Sequence, residues 1–268
     1  MESNLLGTSV EEVLDAAFSD TGDDLLVVDP SPETIVSIVE AGDAGGTLPT
    51  TSVLADRRVL KDVLGEFLIA SKAADLIDDG VLSIRVLPAD AENSLFVSSS
   101  RVLALVTTDG GLSALSSNDD AFVSEVFGTY RELFEAAEPY SLRTPPLSRV
   151  RETMAADLGE ATREDFDRAL AALEGDDDSD LDEVTVSLLV AARNDVLLYD
   201  VSKWGEDVGI ASKATFSRTK TRLEDLGLID TEKVPIDVGR PRLRLKIGDE
   251  RLAGLDAAAL VEAAAEQL

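Results

Sequence analysis

The residues best suited to a chemical task lie on one predicted helix, from Ser212 to Leu226. Gly209, before it, suits a tight turn, and the Ser212 hydroxyl can accept free N–H groups of the first helical turn. Apolar residues recur at helical spacing at Phe216, Leu223 and Leu226, which predicts a buried stripe. The opposite face carries hydroxyl and guanidinium side chains at Ser212, Thr215, Arg218, Thr219 and Arg222. Such a face suits a helix lying in a DNA major groove.

A basic hairpin is predicted over residues 233–247. Gly239 and Pro241 favour a turn with Arg240 at its tip, where it could reach a phosphate or a minor groove. In the returning strand, three apolar residues alternate with three basic ones, Arg242, Arg244 and Lys246. This alternation predicts one buried face and one basic face.

Two more helices are predicted upstream, one around Val184 to Ala192 and one from Val201 to Val208 with Trp204 as its buried anchor. Three helices followed by a basic hairpin indicate a winged helix-turn-helix that binds double-stranded promoter DNA. The expected contacts are base edges for Thr215, Arg218 and Thr219, phosphates for Ser212, Lys213 and Arg222, and backbone or minor groove for Arg240 and Arg242. An ordinary solvated basic face is the simpler alternative.

The charge distribution sets this region apart. From Lys203 to Lys246 there are ten Lys and Arg against seven Asp and Glu, whereas the rest of the chain has 14 against 46. The whole chain carries a net charge of -29. Many acidic residues, few lysines and no cysteine suggest adaptation to molar salt, as in a haloarchaeal cytoplasm. An acidic protein from an ordinary cell is the alternative.

The composition excludes several kinds of chemistry. Without Cys or His, disulfides, thiol nucleophiles, Ser-His triads and nearly all zinc sites are ruled out. No glycine-rich phosphate-binding motif is present either, so we expect no catalytic residue, no metal and no cofactor. No apolar stretch is long enough for a bilayer, and the N-terminus lacks a signal-peptide pattern. A cytoplasmic protein without a membrane partner is expected.

The first 145 residues show the pattern of an α/β domain. Apolar stretches at 25–29 and 51–55 predict buried strands, each followed by helical segments. Further strands are predicted at 82–87, 95–97, 102–106 and 112–115, before a helix at 119–137. Strand–helix–strand–helix followed by a meander predicts a mixed sheet.

Charged residues follow or end several of these strands. Ligands of open α/β sheets favour the crevice beyond the carboxyl ends of the strands. Carboxylate and guanidinium groups there would suit a sugar or sugar-phosphate effector, and the candidates are Asp29, Asp56, Arg57, Arg85 and Arg101. The alternative role is structural, because strand-end Asp residues often cap helices and Arg side chains often pair with carboxylates.

A proline cluster between Pro139 and Pro146 marks a domain boundary. We expect four segments: an α/β effector-sensing domain over 1–145, a helical connector with an acidic loop over 146–181, the winged helix-turn-helix over 182–250, and a C-terminal helix over 251–268. Apolar helices flanking a winged helix either cover its core or form a dimer seam. A homodimer is expected, but the sequence does not indicate which helices form its interface.

The winged helix, its Gly239–Arg242 wing, the N-terminal α/β domain and the acidic composition together resemble the TbsP family of haloarchaeal transcription regulators, described as suppressors of the sugar regulator TrmB. The resemblance covers the whole chain, and its specific motifs are those of the winged helix. It implies a regulator of central sugar metabolism genes, gluconeogenesis included, that responds to a sugar-type metabolite. The TrmB group places its winged helix first, so its effector residues cannot be transferred to this chain.

Two other function classes stay open. The α/β domain could be a carboxylate-based hydrolase or isomerase fused to a winged helix, although the absence of His argues against it. Alternatively, the winged helix could bind protein rather than DNA. The operator, the effector and the sign of regulation are beyond what the residues indicate.

Overall fold

The computed structural model describes residues 5–8, 12–14, 24–43, 48–88, 93–108, 111–173, 181–236 and 241–268. The chain divides into two compact units, Met1–Leu142 and Arg143–Leu268. Among the described residues, no helix is both long and apolar enough to cross a membrane.

The first unit contains a mixed sheet whose described part has seven strands. In chain order they are β1 (Leu5–Thr8), β2 (Asp24–Val28), β3 (Thr50–Ala55), β4 (Leu82–Val86), β5 (Ser94–Val97), β6 (Val102–Thr108) and β7 (Gly111–Ser117). Their order across the sheet is β1-β7-β6-β5-β2-β3-β4. The β2, β3 and β4 strands are parallel, and all other neighbours are antiparallel.

Helices cover both faces of this sheet. They are α1 (Pro32–Asp43), α2 (Arg57–Val63), α3 (Phe67–Asp78) and α4 (Asp120–Ala136). Alternate strand residues point to opposite faces, so Val27 packs with the apolar residues of α1 to α3, while Leu26 and Val28 pack with those of α4. Both residue sets are apolar because the central strands are buried on both sides.

The predicted mixed α/β sheet is confirmed, with α1, α2 and α3 in the crossovers between parallel strands. The sequence pattern did not predict β1, which pairs with β7 and lies at the edge of the described sheet. Of the helix predicted between Ser9 and Phe18, only residues 12–14 are described, and they are helical.

The described part of the second unit is helical with one hairpin. Its elements are α5 (Leu147–Leu158), α6 (Glu160–Leu173), α7 (Glu183–Arg193), α8 (Leu198–Val208), α9 (Lys213–Asp225), β8 (Ile229–Val234), β9 (Arg242–Ile247), α10 (Glu250–Ala253) and α11 (Ala257–Ala265). Helices α7 to α9 followed by the β8–β9 hairpin form the predicted winged arrangement.

Helices α5 and α6 pack against this winged arrangement inside the same unit. The indole Nε1 of Trp204 in α8 donates to the Thr153 hydroxyl of α5 at 3.0 Å. The buried Asp165 carboxylate of α6 accepts from Arg193 Nε of α7 at 3.0 Å and from Asn194 Nδ2 at 2.9 Å. These bonds join the segment expected as a connector to the winged helix.

Candidate nucleic-acid interface

A glycine turn and a serine cap position helix α9. Gly209 ends α8 in the left-handed conformation, with φ of 97°, and Ile210 N–H donates to the Gly205 carbonyl at 2.8 Å. Ser212 precedes α9, and its hydroxyl accepts from Thr215 N–H at 3.2 Å. Both devices agree with the prediction, because glycine adopts positive φ without strain and serine satisfies a free N–H.

The buried face of α9 is narrower than predicted. Phe216 and Leu223 are fully buried, and a Cβ added at Gly205 of α8 would overlap the Phe216 ring. The helices therefore approach closely at this glycine. Leu226 is 41% exposed, so its predicted place in the buried stripe is wrong. The helix ends at Asp225, and Leu226 is its C-cap, beyond the last residue that faces the core.

The outward face of α9 is centred near Arg218. Exposed residues on this helix include Ala214, Ser217, Arg218, Thr221 and Arg222, whereas Thr215 and Thr219 are half-buried. The two threonines expected to contact base edges thus lie toward one edge of the outward face. Ser217 and Thr221 were missed. A helical wheel oriented by Phe216 and Leu223 alone would have found both.

Acidic neighbours neutralise many of the basic residues in this region. Of the nine described Lys and Arg residues from Lys203 to Lys246, five form ion pairs: Lys203–Asp207, Lys213–Glu206, Lys220–Glu224, Arg242–Asp200 and Lys246–Asp195. Four of these acids, Asp195, Asp200, Glu206 and Asp207, precede α9 in the chain and lie outside the predicted DNA-contacting elements. Counting charges along the sequence therefore overstates the positive potential of this surface.

The Lys213–Glu206 pair lies at the start of α9. Lys213 Nζ is 2.6 Å from a Glu206 carboxylate oxygen. This hydrogen bond raises the pKa of Lys213 and lowers the pKa of Glu206. Both groups are therefore charged at neutral pH, and Lys213 must leave Glu206 or share it to contact a phosphate.

Three other basic residues of this region, Arg218, Arg222 and Lys233, lack such partners within the described ranges. No Asp or Glu side chain in the described part of the chain forms an ion pair with any of them. Arg218 Nε lies 3.4 Å from the Ala214 carbonyl, and Arg222 Nη2 lies 3.4 Å from the Leu268 carbonyl. Both contacts are long for hydrogen bonds, so both guanidinium groups are free to bind phosphates or base edges.

The wing strands hold their arginines differently. The Arg242 guanidinium lies over the Tyr199 ring, 4.7 Å from its centroid, and 3.5 Å from Asp200. The Arg244 side chain is half-buried, and its Nε has no hydrogen-bond partner in the part of the chain that the structure describes. The wing tip, with Gly239 and Arg240, lies outside the described residues, so the expected contact of Arg240 stays a prediction.

Four of the expected effector residues lie at the carboxyl ends of the parallel strands β2, β3 and β4. Asp29 directly follows β2 and has a φ of 47°. Asp56 caps α2 by accepting from Arg58 N–H at 2.7 Å, and Arg57 Nη2 is 2.6 Å from Glu138. Arg85 Nη1 donates to two carbonyl oxygens, those of Glu135 and Ala137, both at 2.9 Å.

Arg101 lies at the opposite end of these strands. It follows β5, which is antiparallel to β2 and pairs Val97 with Leu26. The carboxyl end of β5 therefore lies beside the amino end of β2, away from Asp29. The five expected residues are not brought together, because the strand-end rule holds only among parallel strands.

Solved structures of low sequence identity show partial similarity to the chain. TrmBL2, an archaeal chromatin protein solved in a study of its DNA binding, is 17% identical over 52% of this chain and 53% of its own, with a TM-score of 0.38. The phospholipase D family member Nuc from Salmonella typhimurium is 9% identical over 52% of this chain and 96% of its own, with a TM-score of 0.36.

A polyphosphate kinase from Porphyromonas gingivalis is 12% identical over 73% of this chain and 36% of its own, with a TM-score of 0.32. The chain thus spans about half the length of TrmBL2. TM-scores this low carry no conclusion about function. No curated protein matches the chain.

Two sequence models of one family match consecutive parts of the chain. The N-terminal model of TbsP-like transcriptional regulators matches residues 2–145, and the C-terminal helix-turn-helix model of the same family matches residues 146–265. The second match contains all the elements from α5 to α11. The chain belongs to the TbsP-like family of transcriptional regulators.

Proposed function

We propose that this protein is a dimeric, sequence-specific regulator that reads promoter DNA with helix α9. The observation that carries the proposal is the pair of exposed guanidinium groups at Arg218 and Arg222, on the outward face of a capped helix. Neither has a carboxylate partner among the described residues. In a helix-turn-helix this helix enters the major groove. Family membership supports a regulator rather than an enzyme.

The two arginines are proposed to have different tasks. Arg218 lies near the centre of the outward face, next to Ser217 and one turn from Thr221, where side chains reach base edges. An arginine there can donate two hydrogen bonds to guanine O6 and N7. Arg222 lies one turn later and toward the edge of the face, which suits a phosphate contact.

The regulated genes are proposed to be those of sugar metabolism, on the strength of the family resemblance alone. The first unit is proposed to sense a small-molecule effector that changes DNA affinity through linked equilibria. The strand-end residues Asp29, Asp56, Arg57 and Arg85 stay a prediction for this role. Several of their polar atoms are already engaged in caps, ion pairs or carbonyl contacts.

The test is selection of bound duplexes from a randomised DNA library with the full-length protein at molar KCl. We expect a palindromic motif to be enriched, because a symmetric dimer reads two equivalent half-sites. Arg218→Ala should abolish or relax the enrichment. Lys203→Ala is the matched control, since Lys203 is exposed but paired with Asp207. An unchanged motif with Arg218→Ala, or none with the wild type, would refute the proposal.

A further inference from the structure

The first unit contains a cavity separate from the strand-end site, and none of the expected effector residues line it. It lies between α4 and the face of strands β5 to β7, with a volume of about 410 Å³. Small-molecule sites in proteins have volumes of about 300–1,000 Å³. Only Val123 and Phe134 of α4 are fully buried, while Val126 and Tyr130, which line the cavity, are half-buried. Helix α4 thus leaves part of the sheet face accessible.

The cavity wall is mainly apolar. The sheet contributes Leu95, Val102, Ala104 and Leu115, and α4 contributes Phe122 and Val126. The strand register explains the set, because Ala104 pairs with Leu115 and Val102 with Ser117, so these residues point to the same face. A ligand seated here would cover apolar surface that is otherwise in water.

Large exposed hydrophobic side chains concentrate at this site. Leu115 is 49% exposed, Phe122 46% and Val106 42%, and within the described part of the first unit they are the large hydrophobic residues with most exposure. Leu115 and Phe122 line the cavity itself, and Val106 lies two residues beyond Ala104 on the same strand face. Clustered exposed hydrophobic residues mark binding surfaces.

The polar groups of the wall define the ligand chemistry. They are the side chains of Asn93, Ser117 and Tyr130, which offer hydroxyl and amide groups. Ser116 pairs with Leu103, so its side chain points to the other face of the sheet. No charged side chain of the described residues lines the cavity. Because a charge enclosed without a partner is costly, a phosphate or carboxylate ligand fits poorly, whereas hydroxyl or carbonyl groups would find partners.

We propose that this cavity binds a neutral, largely apolar small molecule carrying one or two hydroxyl or carbonyl groups, and that this molecule is the effector of the regulator. The proposal rests on the proposed function for its regulatory meaning. The ligand contacts both α4 and the sheet, so it favours the arrangement in which these two elements enclose it.

The test is a titration of the full-length protein with Nile red, a neutral apolar dye that fluoresces in apolar surroundings, at molar KCl and without DNA. We expect saturable binding of one dye per chain. Ala104→Phe fills the floor of the cavity and should weaken binding at least tenfold. Ala121→Phe is the matched control: it adds the same ring to an exposed position of α4 that does not line the cavity, and should bind like the wild type.

Circular dichroism and unfolding of each variant check that the fold is kept. If Ala104→Phe does not fold, Ser117→Phe narrows the same cavity from β7. Absent saturable binding, or equal binding by the filled variants, overturns the proposal. The competing explanation is that a second copy of this chain covers the cavity. If Leu115→Asp halves the mass measured by light scattering, a second copy is the occupant and the proposal is overturned. Because no DNA is present, failure here leaves the DNA-binding proposal intact, and Arg218→Ala should bind dye normally.

Discussion

At the scale of single residues, the neighbours of a basic side chain decide whether it can hold DNA. Lys213, Lys220 and Arg242 all lie in elements proposed to contact DNA, yet each is paired with a carboxylate. Arg218 and Arg222 have no such partner in the described part of the chain. A phosphate therefore meets less competition at these two arginines, and the Coulomb attraction is not offset by a nearby acid.

Replacing Arg222 by Ala should weaken binding to specific and random duplexes by a similar factor. It should also lower the slope of log affinity against log salt concentration by about one, because one phosphate contact displaces about one counterion. Fluorescence anisotropy over a series of KCl concentrations measures both quantities.

Arg218→Ala is the comparison for that titration. It should reduce the preference for the selected motif by about 1–3 kcal/mol, the value of a good bidentate base contact. Equal losses on specific and random DNA for both variants would contradict the division of tasks.

The sequence indicated most of this site but not its charge balance. Ser212 as cap, Gly209 as turn and Trp204 as buried anchor follow from local rules, and all three agree with the structure. The ion pairs of Arg242 with Asp200 and Lys246 with Asp195 join residues more than 40 positions apart. Such pairs depend on tertiary packing, which periodicity along one element does not report.

At the scale of elements, the angle between α8 and α9 depends on a glycine. Gly205 lies inside α8, where glycine costs about 1 kcal/mol of helix propensity relative to alanine. Its missing side chain leaves the space that the Phe216 ring occupies. The close approach fixes how α9 projects from the three-helix core, and hence the direction in which Arg218 points.

Gly205→Ala should therefore destabilise the protein by about 1–3 kcal/mol, the usual cost of overpacking a core, despite the gain in helix propensity. The matched variant is Gly128→Ala in α4, where an added Cβ meets no atom within 4 Å. That change should be neutral or stabilise by up to about 1 kcal/mol. Urea unfolding at constant salt measures both, and equal stability for the two variants would show that Phe216 moves aside freely.

Elements were predicted well where periodicity is long and poorly where it is short or depends on pairing. The parallel strands β2 and β3 follow from continuous apolar stretches, and α9 from its cap and stripe. Strand β1 has four residues and gains its place only by pairing with β7. The opposite position of Arg101 follows from the antiparallel direction of β5, which no single segment of sequence reveals.

At the scale of the whole molecule, a net charge of -29 opposes DNA binding, and molar salt would weaken each phosphate contact further. Affinity must then come from a small number of well-placed contacts, repeated by a dimer, rather than from diffuse positive charge. Arg218 and Arg222 of α9, which have no carboxylate partner where the structure describes the chain, meet that requirement. The apolar cavity under α4 also suits high salt, because apolar association is not weakened by screening.

In the proposed function, α9 reads promoters through Arg218. Chromatin immunoprecipitation across the genome, in cells at native salt that carry either the wild type or Arg218→Ala at equal protein levels, tests it most directly. We expect sharp wild-type peaks at promoters sharing a palindromic half-site, and their loss in the variant. A flat wild-type profile, or the same peaks in both strains, would contradict it.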